Sequence, residues 1–127
     1  GVNADQWLFL DMFTALVRRD ERDEAAEIWE RLDTRGTSPA IRAVVSVGRG
    51  LLEPDASVAV DTLRGAAEAL ERLGISVQQA RVRIELARAE RDAGLDPAPS
   101  LERARSLLEA CGARLYLPEV DALASAG

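Results

Sequence analysis

Lysine and histidine are absent from this chain of 127 residues, and cysteine occurs once. These absences remove whole classes of chemistry. Without histidine or lysine there is no Ser-His-Asp or Cys-His pair, no Schiff base and no P-loop lysine. A lone cysteine with no histidine excludes the usual zinc sites. That single thiol forms no internal disulfide, which fits a reducing compartment, and a cytoplasmic location is expected. No window approaches ~20 uninterrupted apolar residues, so neither a transmembrane helix nor a membrane partner is expected. A basic start leading into an apolar run and a small-residue cleavage site is also missing. The chain opens Gly1-Val2-Asn3 without methionine and reads as a segment of a longer polypeptide, with one domain spanning residues 1–127.

What is present suits a soluble helical domain. Hydrophobic residues make up 47% and charged residues 30% of the chain, an ordinary balance with enough apolar side chains for a real core. The 16 basic residues are all arginine and are outnumbered by 22 acids, for a net charge of −6. That balance argues against a nucleic-acid partner, whose affinity would come from a basic face. A carboxylate-only enzyme is the one catalytic class left open, but the acids follow helix-surface spacing, so no enzyme activity and no cofactor is expected.

Periodicity predicts seven helices. The first, from about Asp5 to Arg19, is apolar over most of its surface, leaving a thin strip of Trp7, Asp11, Thr14 and Arg18. Asp20 can cap a second, from Glu21 to about Asp33, whose one apolar face holds Ala25, Ile28, Trp29 and Leu32. Gly36 suits a left-handed helix stop, and Ser38-Pro39 starts a third helix running to about Leu52, with a thin polar strip of Arg42, Ser46 and Arg49. The break at Glu53-Pro54-Asp55 leads into a fourth, ending at Leu73, with Val58, Ala59, Thr62, Leu63, Ala66, Ala69, Leu70 and Leu73 on its covered side. Arg64, Glu68 and Arg72 are spaced for an i,i+4 ladder on its other side.

The fifth helix, from about Ser76 to Ala93, is the one around which the chain is organised. Val77, Ala80, Ile84 and Ala87 share one face; Val82, Leu86, Ala89 and Ala93 share nearly the opposite one. A helix apolar on two opposed faces has packed neighbours on both. After Gly94-Leu95-Asp96-Pro97, a sixth helix from about Ser100 to Cys111 has a single apolar arc of Leu101, Ala104, Leu107, Leu108 and Cys111, which predicts a buried, inert thiol. Gly112 ends it. A short seventh helix, from about Leu115 to Ser125, tolerates Pro118 only within its first turn. Odd-numbered helices are thus expected to be more deeply covered than even ones.

The even helices repeat a pattern. Ala25 with Trp29, Ala59 with Leu63, and Ala104 with Leu108 each set a small residue four positions before a large one, at intervals of about 34 and then about 45 residues. Stacked units, each unable to bury its face alone, give such a repeat. On these residues, and best on Leu86-Ala87, Gly94, Ala104 and Leu108, the chain resembles tetratricopeptide-type helical repeats, in a divergent form with Arg83 and Glu90 where the family has tryptophan and tyrosine. The run from Leu101 through Ala113 to Asp121 looks like the C-terminal repeat regions of large bacterial regulators. Those couple an ATP-binding module to a transcriptional regulator or a nucleotide cyclase. The resemblance implies an all-α, right-handed stack of antiparallel helical hairpins. It further implies a concave groove along the first helices of the units, bearing Trp7, Asp11, Thr14, Arg42, Arg49, Arg81 and Arg88.

Arginines there could fork onto carboxylates or a phosphate. The alternative is a solvated surface, with Arg81 and Arg88 neutralised by Glu85 between them. Val44-Val45-Ser46-Val47-Gly48-Arg49-Gly50 mimics a phosphate loop, but it lacks the third glycine and the following helix. Its glycines are expected to let two helices pack closely. Taken together, the expected role is a non-catalytic protein–protein or interdomain module, binding a protein, a peptide or a neighbouring domain in a bacterial signalling protein. The other readings are a small-molecule sensor arm for an attached ATPase or cyclase, and a structural spacer or homodimerisation module.

Overall fold

The computed structural model describes residues 21–30 and 39–126. These hold six α-helices: α1 (Arg22–Glu30), α2 (Pro39–Leu52), α3 (Ala56–Arg72), α4 (Ser76–Asp92), α5 (Ala98–Cys111) and α6 (Leu117–Ser125). A 3₁₀ turn (Arg114–Tyr116) precedes α6, and there is no strand among the described residues. The expected helix from Asp5 to Arg19, with Trp7, Asp11 and Thr14, lies outside the described residues, as do the turn at Gly36 and the side chain of Trp29.

Local chemistry sets the helix ends. Asp55 has an extended backbone, and its carboxylate accepts hydrogen bonds from the amides of Ser57 (2.9 Å) and Val58 (3.4 Å), starting α3. Asp96 accepts from the Ala98 amide at 2.9 Å, and α5 begins there, two residues earlier than the apolar pattern suggests. Pro99 falls in its first turn, where a missing N–H costs nothing. Gly112 ends α5 at φ 70°, a left-handed conformation that only glycine adopts without penalty. Pro118 is likewise confined to the first turn of α6.

Each helix packs on the next along the chain, and α6 returns to touch both α5 and α4. The central element is α4. Val82, Leu86 and Ala89 join Val44 and Val47 of α2 and Leu63, Ala66 and Leu70 of α3 in one apolar core. Ala80, Ile84 and Ala87 join Leu101, Ala104 and Leu108 of α5 and Val120 and Leu123 of α6 in a second. Ile84 and Leu86 are each 1% exposed, so both flanks of one helix are dry. Each such side chain contributes roughly 1.5–3 kcal/mol of transfer free energy, and together they tie two layers to one helix.

A third strip of α4 is charged and crosses to its neighbours. The Arg83 Nε–H donates to Gln79 Oε1 at 2.8 Å, and its guanidinium lies 3.7 Å from Glu71, which also accepts from Arg103 of α5 at 3.0 Å. Burial holds the Arg83 guanidinium below its ordinary range, while Glu71 pulls the other way. Arg64 of α3 lies 3.5 Å from Glu90, whose side chain is buried. The ladder expected from Arg64, Glu68 and Arg72 is therefore not what engages Arg64: all three are exposed, but Arg64 turns to Asp61 (3.7 Å) and Glu90.

Three residues expected under cover are not. Val58 is 46% exposed and Leu73 39%. Ala59 and Val60 beside Val58 are buried, so the covered face of α3 turns away from Val58; Leu73 caps the helix end at the edge of that face. Cys111 is exposed as well. The arc of Leu101, Ala104 and Leu108 is buried, but the last turn of α5 runs on beyond its partners, leaving Glu109, Ala110 and Cys111 in solvent.

Candidate interaction surface

The expected groove arginines divide by helix. Arg42 and Arg49 lie exposed on α2. Arg81 and Arg88 lie half-buried on α4, and both are turned toward the C-terminal segment of the chain. The Arg81 guanidinium stacks over the Tyr116 ring, 4.9 Å from its centroid, and its Nη1 donates to Gln78 Oε1 at 3.3 Å. Arg88 Nη2 donates to Glu119 Oε2 at 3.3 Å, while its Nε lies 3.8 Å from Glu85 Oε2. Neutralisation of Arg88 by Glu85 is thus present, with Glu119 added from a helix 31 residues away in sequence.

Two further arginines, not singled out by the sequence, extend this arrangement. Arg91 of α4 donates to the Leu123 carbonyl, and Arg105 of α5 donates to Asp121. The hydrogen bond to Asp121 raises the Arg105 guanidinium above its ordinary range. Four arginines therefore fasten the 3₁₀ turn and α6 to the body, around an apolar attachment whose buried members on α6 are Val120 and Leu123. No local pattern predicts these partners, because each contact joins residues well separated in the chain.

Between α2, α3, α4 and α6 lies a half-open cavity of about 610 Å³. Gly50 and Leu51 of α2, Ala59 and Leu63 of α3, Ala89 of α4 and Leu123 of α6 give its apolar walls; Glu53, Glu85, Arg88, Arg91 and Asp92 give its polar ones. Of the seven expected groove residues, Arg88 alone among the described ones lines it. Gly50 brings α2 close to α3: a Cβ there would stand 2.6 Å from Leu63 Cγ and Cδ2. Gly50 thus belongs to a helix contact, as expected of the glycines there. A smaller hollow of about 260 Å³ lies between the start of α5 and α6, lined by Pro97, Leu101, Arg105, Val120 and Leu123 among others. No group of three or more potential metal ligands converges among the described residues, and no helix among them is long and apolar enough to cross a membrane.

Comparison with known proteins returns no matching family model, no matching curated protein and no matching solved structure. The functional reading therefore rests on the residues and their geometry.

Proposed function

We propose that this domain is a non-catalytic interaction module, a divergent tetratricopeptide-like right-handed stack that docks a peptide or a neighbouring domain in its concave face. The observation that carries the reading is the half-open cavity of about 610 Å³, to which α2, α3, α4 and α6 all contribute. A preformed surface built on packed helices binds without first ordering itself, which is how repeat proteins gain affinity. The two dry flanks of α4 support the stack, since they bind one layer of helices to the next. On the sequence resemblance, the setting is a cytoplasmic bacterial signalling or transcriptional regulatory protein.

The second reading, a small-molecule sensor arm, draws support from the cavity's volume, which falls in the ~300–1,000 Å³ range of ligand clefts. Its open mouth favours a peptide. Peptide display on the immobilised domain, followed by amide shift mapping, separates the two. Docking predicts that selected peptides perturb Gly50, Ala56 and Ala89, and that Ala56→Trp, which adds an indole to the cavity lining, abolishes their binding. Peptides that map away from the cavity, or that bind the Ala56→Trp variant unchanged, would refute docking there.

A further inference from the structure

The arrangement of charges around the cavity points to the kind of segment it takes. Its apolar walls, with Leu51, Leu63 and Leu123, offer a seat for an aliphatic side chain. The polar groups are not an anion site. Arg88 already has two carboxylates of its own, Glu119 at 3.3 Å and Glu85 at 3.8 Å, and Glu85 is itself buried. Arg91 is turned to the Leu123 carbonyl. An incoming carboxylate would have to displace Glu119 and would meet Glu85, Glu53 and Asp92.

The carboxylates are differently placed. Glu53 accepts a hydrogen bond from the Asp55 amide at 3.1 Å, and neither Glu53 nor Asp92 has an ion pair among the described residues. Both line the cavity, at the turn after α2 and at the end of α4. Asp92 also sits at a helix C-terminus, where the macrodipole disfavours a negative charge, so a cation there relieves that repulsion. Negative potential from these two lining carboxylates would steer a cationic segment in and reject an acidic one.

We propose that the cavity docks a short basic–apolar segment of a partner protein, one aliphatic side chain seated on Leu51, Leu63 and Leu123 and flanking arginine or lysine side chains paired with Glu53 and Asp92. This rests on the interaction reading above and reverses the polarity that the arginine strip alone implies: the partner brings the cations.

The test uses the full chain and three fluorescein-labelled pentapeptides: alternating arginine and leucine, alternating glutamate and leucine, and arginine with glycine in place of leucine. Anisotropy titrations at low salt are expected to show the arginine–leucine peptide binding at least about tenfold more tightly than either of the others. Glu53→Gln with Asp92→Asn should weaken it by about fivefold or more, and Ala56→Trp should abolish it. Glu68→Gln with Glu109→Gln, an equal charge change at exposed sites away from the cavity, should leave it within about twofold. Equal losses in the two double variants, or equal binding of the arginine–glycine peptide, would reduce the effect to net charge and overturn the proposal. Should the glutamate–leucine peptide bind best and lose its binding in Ala56→Trp, docking stands and the basic partner is overturned. If no peptide responds to Ala56→Trp, both fall.

Discussion

Two glycine-to-alanine substitutions one helix apart should move stability in opposite directions. Gly65 is exposed in the middle of α3, and a Cβ there meets nothing within 4 Å. Alanine at this position gains only the helix propensity and the reduced freedom of the unfolded chain, about 0.5–1 kcal/mol of added stability. At Gly50 the same gain is opposed by contact: the new Cβ stands 2.6 Å from both Cγ and Cδ2 of Leu63, a side chain 2% exposed. Cγ cannot swing away alone, so the Leu63 rotamer or the α2–α3 spacing must change, and overpacking of this kind costs about 1–3 kcal/mol. Leu63 also lines the cavity and can move partly into it, which places the net loss toward about 1–2 kcal/mol. Urea unfolding followed by far-ultraviolet circular dichroism measures both variants against the parent, with unchanged m-values identifying folded-state effects. In thermal melts the separation should be roughly 3–5 °C per kcal/mol. A Gly50→Ala protein as stable as Gly65→Ala would mean that α2 and α3 do not approach as described, and the cavity wall built on that approach would be wrong.

Other consequences follow from the arginine fastenings and from the end of α5. Arg88→Met should cost more stability than Glu119→Gln, because the first removes a cation facing both the buried Glu85 carboxylate and Glu119, and the second removes only a half-exposed partner. Their coupling in a double-mutant cycle should be about 0.5–1 kcal/mol and should shrink with added salt, since Arg88 is itself partly exposed; zero coupling at low salt would remove the bridge. Cys111 is exposed in the folded chain, so Ellman's reagent should titrate one thiol per native molecule without denaturant. Labelling that waits for unfolding would restore the buried thiol expected from the sequence.

The helices were legible because their signals are local. Asp55, Gly74, Gly94 and Gly112 punctuate the chain where α3, α4 and α5 start or stop. The opposed stripes of Ile84 and Leu86 forecast two cores around α4, since a 3.6-residue period alone decides which side chains share a face. Periodicity does not say where a helix outruns its neighbours, which is why Cys111 is in phase with Ala104 and Leu108 and still exposed. Val58 and Leu73 differ in phase: the face of α3 that is buried runs through Ala59, Val60, Leu63, Ala66, Ala67 and Leu70, and leaves Val58 on the far side and Leu73 at its edge. The candidate site was the least legible part. Arg81 and Arg88 occupy the strip that spacing assigns to them, yet their partners Tyr116 and Glu119 come from a distant helix and turn. Glu53 and Asp92 gave no signal at all, because their meaning depends on the cavity that brings a turn and a helix end together.

The groove exists only if α4 joins one layer of helices to the next, and native-state hydrogen exchange measures that directly. Amides in the middle of α4, from about Val82 to Ala89, should exchange more slowly than any others among the described residues, at or near the free energy of global unfolding. Protection no greater than that of the one-faced α5 would contradict the account, because one of α4's two flanks would then be open to water.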